Sequence, residues 1–241
     1  MNPSTIAIII PVYNESENIE KNLDAIQQGI TGSQDTIKVH IVYDLDQDTT
    51  LPVIAKIRAK YSFPIELIKN PSGGVCNAIK TGLDQAKAEF LLVTMADMSD
   101  DYSILTRMVD RAKSGFDIVC GSRYMSGGKT YGGPWLKQNL SRWAGLSLHY
   151  FTHIPTHDIT NSYKLYRRSF LDKITIESEG GFEIGMEITA KAFIHGYKIA
   201  EIPARSWDRT AGQSRFRLLH WLPKYLRWYG LLIFNRRTHG Q

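Results

Sequence analysis

The sequence predicts an α/β fold: a doubly wound, mostly parallel sheet with helices on both faces and an amphipathic helix near the C-terminus. Three observations predict it. Strand-like and helix-like segments alternate four or five times within about the first 120 residues, which is βα repetition. The strand candidates are short, continuous apolar runs, as strands covered on both faces must be. Three of those runs stop at polar clusters, 13–15, 44–48 and 97–101, and open α/β sheets bind their ligands beyond the carboxyl ends of the strands. With 241 residues, 43% of them apolar and 22% charged, a single domain over 1–241 is expected.

The elements follow in order. Residues 5–10 are a β-branched strand ending at Pro11-Val12-Tyr13-Asn14-Glu15. Ile19, Leu23, Ile26 and Ile30 then mark one face of a helix, closed by Gly29 and Gly32. A second strand, 37–43, ends at Asp44, and a helix over 51–60 tolerates Pro52 in its first turn. The third strand is 64–69. Asn70-Pro71-Ser72-Gly73-Gly74 leads into a helix carrying Val75, Ile79, Leu83 and Ala86 on one side. The fourth strand climbs through Leu91-Leu92-Val93 to Asp97, Asp100 and Asp101, and 116–120 is a fifth.

Beyond it the pattern changes. Residues 124–134 are glycine-rich and suit a loop over the site. A helix is expected over 136–151, with Leu140, Trp143, Ala144, Leu146 and Leu148 packed inward or against lipid. A short strand over 161–166, a helix over 183–194, a strand over 197–202 and a long aromatic, basic helix over 215–234 complete the chain.

Composition bounds the chemistry. No Gly-x-Gly-x-x-Gly follows the first strand and no Walker lysine appears, which counts against a dinucleotide oxidoreductase and a P-loop NTPase. Cys76 and Cys120 have no metal-ligand spacing and read as buried free thiols in a reducing compartment. No basic leader and no window of about 18 apolar residues is present, so neither a signal peptide nor a membrane-spanning helix is expected. From Arg205 to Gln241 eight Lys and Arg face one acid, Asp208, a net of +7 within a total of +5. Such an end seeks phosphates.

Acidic oxygens at a strand tip can hold a hard cation against a phosphate. Helix capping accounts for Ser99 or Asp100, but not for Asp97. His149, His153 and His157 recur every four residues; Pro155 interrupts the helix between the last two, so one shared helical face is ruled out. The aromatic and cationic run 218–229 fits either a helix in a membrane interface or one packed on the domain with its basic side wet. Single-stranded nucleic acid would also suit that run, but acidic strand ends would face the same groove, and no nucleic-acid partner is expected.

Several blocks resemble the GT-A-fold family 2 glycosyltransferases, and among them the dolichyl-phosphate mannose synthase-like branch. They are Pro11-Val12-Tyr13-Asn14-Glu15, Val42-Tyr43-Asp44, Gly74-Val75-Cys76-Asn77-Ala78, Gly121-Ser122-Arg123-Tyr124, the run from Asp158 to Arg167, Glu201-Ile202-Pro203, Asp208-Arg209 and Gly212-Gln213-Ser214-Arg215. The chain departs from the family where Asp-Ala-Asp-x-Gln is usual: Met95-Ala96-Asp97-Met98-Ser99 keeps one carboxylate, and a thioether is a poor ligand for Mg²⁺ or Mn²⁺.

The resemblance implies a nucleotide-binding half (1–122), an acceptor-binding half (123–213) and a basic C-terminal helix and tail (214–241). It implies a nucleotide-sugar donor lined by Pro11, Tyr13, Glu15, Val42, Asp44, Met95, Ala96, Asp97, Arg123, Arg209 and Arg215. Asp97, with Asp100 or Asp101, would hold Mg²⁺ or Mn²⁺. The catalytic set would be Asp97, Arg123, Arg142 and Arg209, with the arginines gripping phosphate oxygens.

The acceptor would be a polyprenyl phosphate, reached by an inverting enzyme held peripherally at the cytoplasmic membrane face through its basic helix, in the making of cell-envelope polysaccharide. A hydroxyl acceptor, on a polysaccharide or glycolipid, would need a base, for which Glu187 and Asp158 are candidates. Loss of turnover with retained nucleotide binding is the third reading.

Overall fold

The computed structural model describes residues 3–133, 135–208 and 218–235. A seven-stranded sheet runs in the order β3-β2-β1-β4-β7-β5-β8. Its strands are β1 (Thr5–Val12), β2 (Thr36–Tyr43), β3 (Ile65–Lys69), β4 (Phe90–Val93), β5 (Ile118–Ser122), β7 (Lys164–Arg167) and β8 (Ile199–Pro203). All pair in parallel except β7, which runs antiparallel between β4 and β5. A separate two-stranded ribbon pairs β6 (Lys129–Tyr131) with β9 (Arg205–Trp207) in parallel.

Successive strand residues point to opposite faces, and β1 divides its isoleucines accordingly. Ile6, Ile8 and Ile10 enter the core layer under α1 (Ile19–Gly29), α2 (Thr50–Ile57) and α4 (Leu105–Lys113). Ala7 and Ile9 enter the opposite layer with α3 (Val75–Gln85), α7 (Ile184–Ile194) and α8 (Leu218–Phe234). Each such isoleucine contributes about 1.5–3 kcal/mol of burial. Gly82 sets how closely α3 approaches: a Cβ there would lie 2.5 Å from Ile9 Cγ2.

The expected helices form, with bounds shifted by a few residues. The antiparallel turn of β7 and the β6–β9 ribbon were not foreseen, because neither leaves an apolar period. Helix α5 (Trp135–Thr152) buries Leu148, whereas Leu140 and Trp143, expected to pack inward or against lipid, are exposed. The short α6 (Arg168–Leu171) follows β7 directly. Cys76 and Cys120 are free and buried. No described helix is long and apolar enough to cross a membrane.

Candidate active site

Because β1, β2 and β4 are parallel neighbours, their carboxyl ends bring the three polar clusters to one edge. Pro11 is the register partner of Val42, and the chain then turns through Asn14, which has a left-handed φ of 56°. That turn is pinned to the β2–α2 loop. Asn14 N donates to Asp48 Oδ2 (3.0 Å), Glu15 N donates to Thr50 Oγ1 (2.9 Å), and Thr49 N donates to Asn14 Oδ1 (3.1 Å). Tyr13 is exposed beside it, and Glu15 accepts from Asn18 Nδ2 at 2.7 Å.

Asp44 holds the loop into α3. Its Oδ1 accepts from Asn70 Nδ2 (2.7 Å) and its Oδ2 from the N–H of Gly74 (2.8 Å), whose φ of 83° suits glycine. A carboxylate oxygen accepts more than one hydrogen bond, so Asp44 keeps capacity toward a nucleoside. Val42, placed at the donor by resemblance, is fully buried. It packs against the α3 face with Ile9 and contributes no side chain to the edge. Ala96 is likewise buried in the opposite layer, and Met95 packs partly on the core.

The acidic turn after β4 separates three aspartates that the sequence presents together. Asp97 is half-buried and its Oδ1 accepts from Ser99 N (3.2 Å), across Met98 with φ 64°. Asp100 turns inward: Oδ2 accepts from Thr94 Oγ1 (2.7 Å) and from Met95 N (3.1 Å). Asp101 caps the next turn through Ser103 N (3.1 Å) and takes the N–H of Arg205 on Oδ2 (3.1 Å). Asp100 and Asp101 are therefore bound into the scaffold, and the capping expected of Ser99 or Asp100 is performed by Asp101.

Behind the turn, Tyr102 Oη bonds Thr94 Oγ1 (2.8 Å), and Asn22 Nδ2 donates to Tyr102 Oη (3.0 Å) and to Met95 O (2.9 Å). Asn22 was missed. Its signal is a polar residue three past Ile19 and four before Ile26, on the buried stripe of α1.

Burial raises the Asp100 carboxyl to about 7, with the nearby Asp97 adding to the rise. The folded state thus holds this proton more tightly than the unfolded chain. The contribution of this proton to stability is therefore fully present below the ordinary carboxylate range and is lost as pH rises through about 7. Asp100→Asn cannot ionise, so between acid and mildly alkaline pH the wild type should lose about 4 kcal/mol relative to it. Urea unfolding of both proteins across pH checks this; parallel profiles would refute it.

Arg123 follows β5 and is occupied. Its Nε and Nη2 donate to Asp158 Oδ2 (2.7 Å) and Oδ1 (2.8 Å), and Nη2 also donates to Ser141 Oγ (3.2 Å). The guanidinium lies over the Tyr124 ring at 4.9 Å. Asp158 is fully buried, and although burial opposes its charge, Arg123 holds its carboxyl below the usual range. The fork expected to grip phosphate therefore anchors the 156–160 segment to the end of β5. Arg142, one residue past Ser141, is exposed on α5 and forms no ion pair among the described residues.

Glu187 is also buried, accepting from Glu177 N (2.5 Å) and Ser178 N (2.7 Å) and pairing with Lys191 (2.7 Å). Arg209 and Arg215 lie outside the described residues.

Pro155 does separate the histidines. The chain nevertheless returns, so that His149 and His157 stack with ring centroids 3.8 Å apart, His157 Nδ1 lying 2.6 Å from Glu201.

Among the described residues no three His, Cys, Asp or Glu side chains converge as a cation cage. One carboxylate completed by substrate phosphates and water is, however, a donor set that Mg²⁺-like ions accept. Asp97 fits that role.

The model of glycosyl transferase family 2 matches residues 7–175. The chain belongs to that family. A dolichol-phosphate mannosyltransferase of Pyrococcus furiosus is 26% identical over 236 residues, 93% of this chain and 64% of that protein. A polyprenol monophosphomannose synthase of Mycolicibacterium smegmatis is 28% identical over 214 residues, 86% of this chain and 79% of that one. The chain thus spans under two thirds of the archaeal relative.

Among solved structures, glucosyl-3-phosphoglycerate synthase of Mycobacterium tuberculosis, in complex with Mn²⁺, UDP and glucosyl-3-phosphoglycerate, superposes with a TM-score of 0.66 at 14% identity. The match covers 97% of this chain and 80% of that one. S. aureus TarS 1-349 superposes with a TM-score of 0.60 at 18% identity, covering 98% and 67%. At these identities the family likeness is one of fold, the GT-A arrangement of a mostly parallel sheet between helical layers.

Proposed function

We propose that the chain is an inverting glycosyltransferase that moves a sugar from a GDP- or UDP-sugar to a polyprenyl or dolichyl phosphate at the cytoplasmic face of a membrane. The observation that carries the choice of acceptor is the fate of the two candidate bases. Asp158 is buried in its pair with Arg123, and Glu187 is buried against two N–H groups and Lys191. A hydroxyl acceptor must give up a proton; a phosphate arrives as an anion and needs no base. The names of the two relatives in the family support the same acceptor.

The reaction then divides among the chain's residues. Tyr13 and Glu15 flank the nucleoside and Asp44 accepts its hydrogen bonds, on a turn stiffened by Asp48, Thr50 and Asn70. Asp97 faces the diphosphate. A bound Mg²⁺ or Mn²⁺ would neutralise charge on the departing nucleoside diphosphate. Arg142 draws in the anionic acceptor, with Arg209 and Arg215 assigned to the diphosphate by resemblance. An acceptor phosphate oxygen bonds to the anomeric carbon from the side opposite the leaving group. The bond to the diphosphate breaks, and no proton changes hands.

Contact with the bilayer falls to α5 and α8, joined where Tyr229 Oη donates to Ser147 Oγ (3.0 Å). Trp135 (77% exposed), Leu136, Leu140 and Trp143 (70%) on α5 and Leu222, Leu226 and Phe234 on α8 face outward, beside the exposed cations Arg142 and Arg227. Aromatic and apolar residues interleaved with cations suit an anionic interface.

Released nucleoside diphosphate, measured with GDP- and UDP-sugars and Mn²⁺, should rise when undecaprenyl phosphate is supplied in phosphatidylglycerol vesicles, and the protein should float with them. Transfer to a hydroxyl acceptor alone would overturn the acceptor assignment. Nucleotide binding without turnover on any acceptor would overturn the activity.

A further inference from the structure

Strand β9 lies between two segments that the proposed reaction needs together. Alternate N–H groups of a strand point to opposite edges. On one edge of β9, Arg205 N donates to Asp101 Oδ2 (3.1 Å) and Trp207 N donates to Ser99 O (3.2 Å), both in the acidic turn. On the other, Lys129 N donates to Ala204 O (3.0 Å) and Asp208 N donates to Tyr131 O (2.9 Å), tying in the glycine-rich 124–133 loop. A single strand therefore joins the Asp97 turn to that loop.

Side chains reinforce the junction. Tyr131 and Trp207 are register partners, so they share a face of the ribbon. Their rings stack at 5.9 Å and 15°. Around β6 the loop turns on Gly127, Gly132 and Gly133, all with positive φ, and Gly132 O is held by Gln138 Nε2.

We propose that Trp207 is a positioning residue: through its stack on Tyr131 it fixes the 124–133 loop in register with the Asp97 turn, so that the acceptor-side loop and the diphosphate end are presented as one unit. The kinetic consequence rests on the glycosyl-transfer reading; the conformational one does not.

Trypsin cleavage after the exposed Lys129 reports the loop directly. In Trp207→Ala it should speed up by up to about tenfold, the loss of one aromatic pair, with Tm nearly unchanged. Trp207→Phe should restore the wild-type rate, and Tyr131→Ala should reproduce the Trp207→Ala result from the loop side. If Trp207→Ala does not fold, Tyr131→Ala decides. In transfer assays the loss in Trp207→Ala should fall on KM for the acceptor, with nucleotide affinity held within about twofold.

Unchanged cleavage in a folded Trp207→Ala, even with transfer lost, would overturn the proposal, since Trp207 would then act on substrate itself. Faster cleavage in a chain on which no acceptor turns over would sustain the positioning role and overturn the assigned activity instead.

Discussion

Asp97→Ala is expected to lower kcat/KM for sugar transfer by about a thousandfold, the loss that follows removal of one preorganised group at a developing charge. The reason for so large an effect is that the other carboxylates of the turn are committed to the scaffold. Met95 offers a thioether, Asp100 faces Thr94, and Asp101 is held by Ser103 and Arg205. Asp97→Asn should be nearly as damaging, because it keeps the shape and removes the charge. The fold should survive both changes, since Asp97 is only half-buried. Steady-state release of nucleoside diphosphate with a Mn²⁺ titration measures the effect. Transfer within about twofold of wild type would remove Asp97 from the mechanism.

Arg123→Ala should act on the fold first. Removing it leaves the buried Asp158 carboxylate with the main-chain N–H of residue 123 (3.0 Å), Thr160 Oγ1 (3.4 Å) and the more distant charge of Lys164. Breaking a buried pair from one side costs about 3–5 kcal/mol, read as a lower urea midpoint. The pair depends on a carboxyl held below its usual range, so its contribution is present above the ordinary carboxylate pKa and is lost as pH falls through the depressed one. Arg123→Met with Asp158→Leu should recover most of the stability, because no unpaired charge then stays buried. If Arg123→Lys lowered kcat while leaving the midpoint unchanged, the guanidinium would belong to the acceptor after all.

Much of this was legible in the sequence because parallel strands covered on both faces must be apolar along their whole length. Hence Ile6 to Ile10 and Leu91 to Val93 announce themselves, and the polar residues that end them mark the ligand edge. Proximity in sequence misled at the acidic turn. Asp97, Asp100 and Asp101 look like one cluster, but backbone direction within five residues sends one outward, one into the core and one onto a cap and β9. Arg123 misled for the opposite reason: its partner lies 35 residues away, and no local pattern announces it. Val42 was placed by resemblance at the donor, yet strand alternation puts it against α3, with Tyr43 packed on the opposite layer. The ribbon of β6 and β9 was invisible because three-residue strands between glycines leave no periodicity to read.

The reversed strand β7 has a consequence for biosynthesis. β4 and β5 are successive strands along the chain, yet they do not pair; β5 pairs with β7 and β8. On the ribosome, the first 122 residues can assemble β1 to β4, but β5 must wait, without a partner, until residues 164–167 emerge to fill the slot. A translation product stopped at residue 122 would leave β4 with a bare edge, an invitation to self-association.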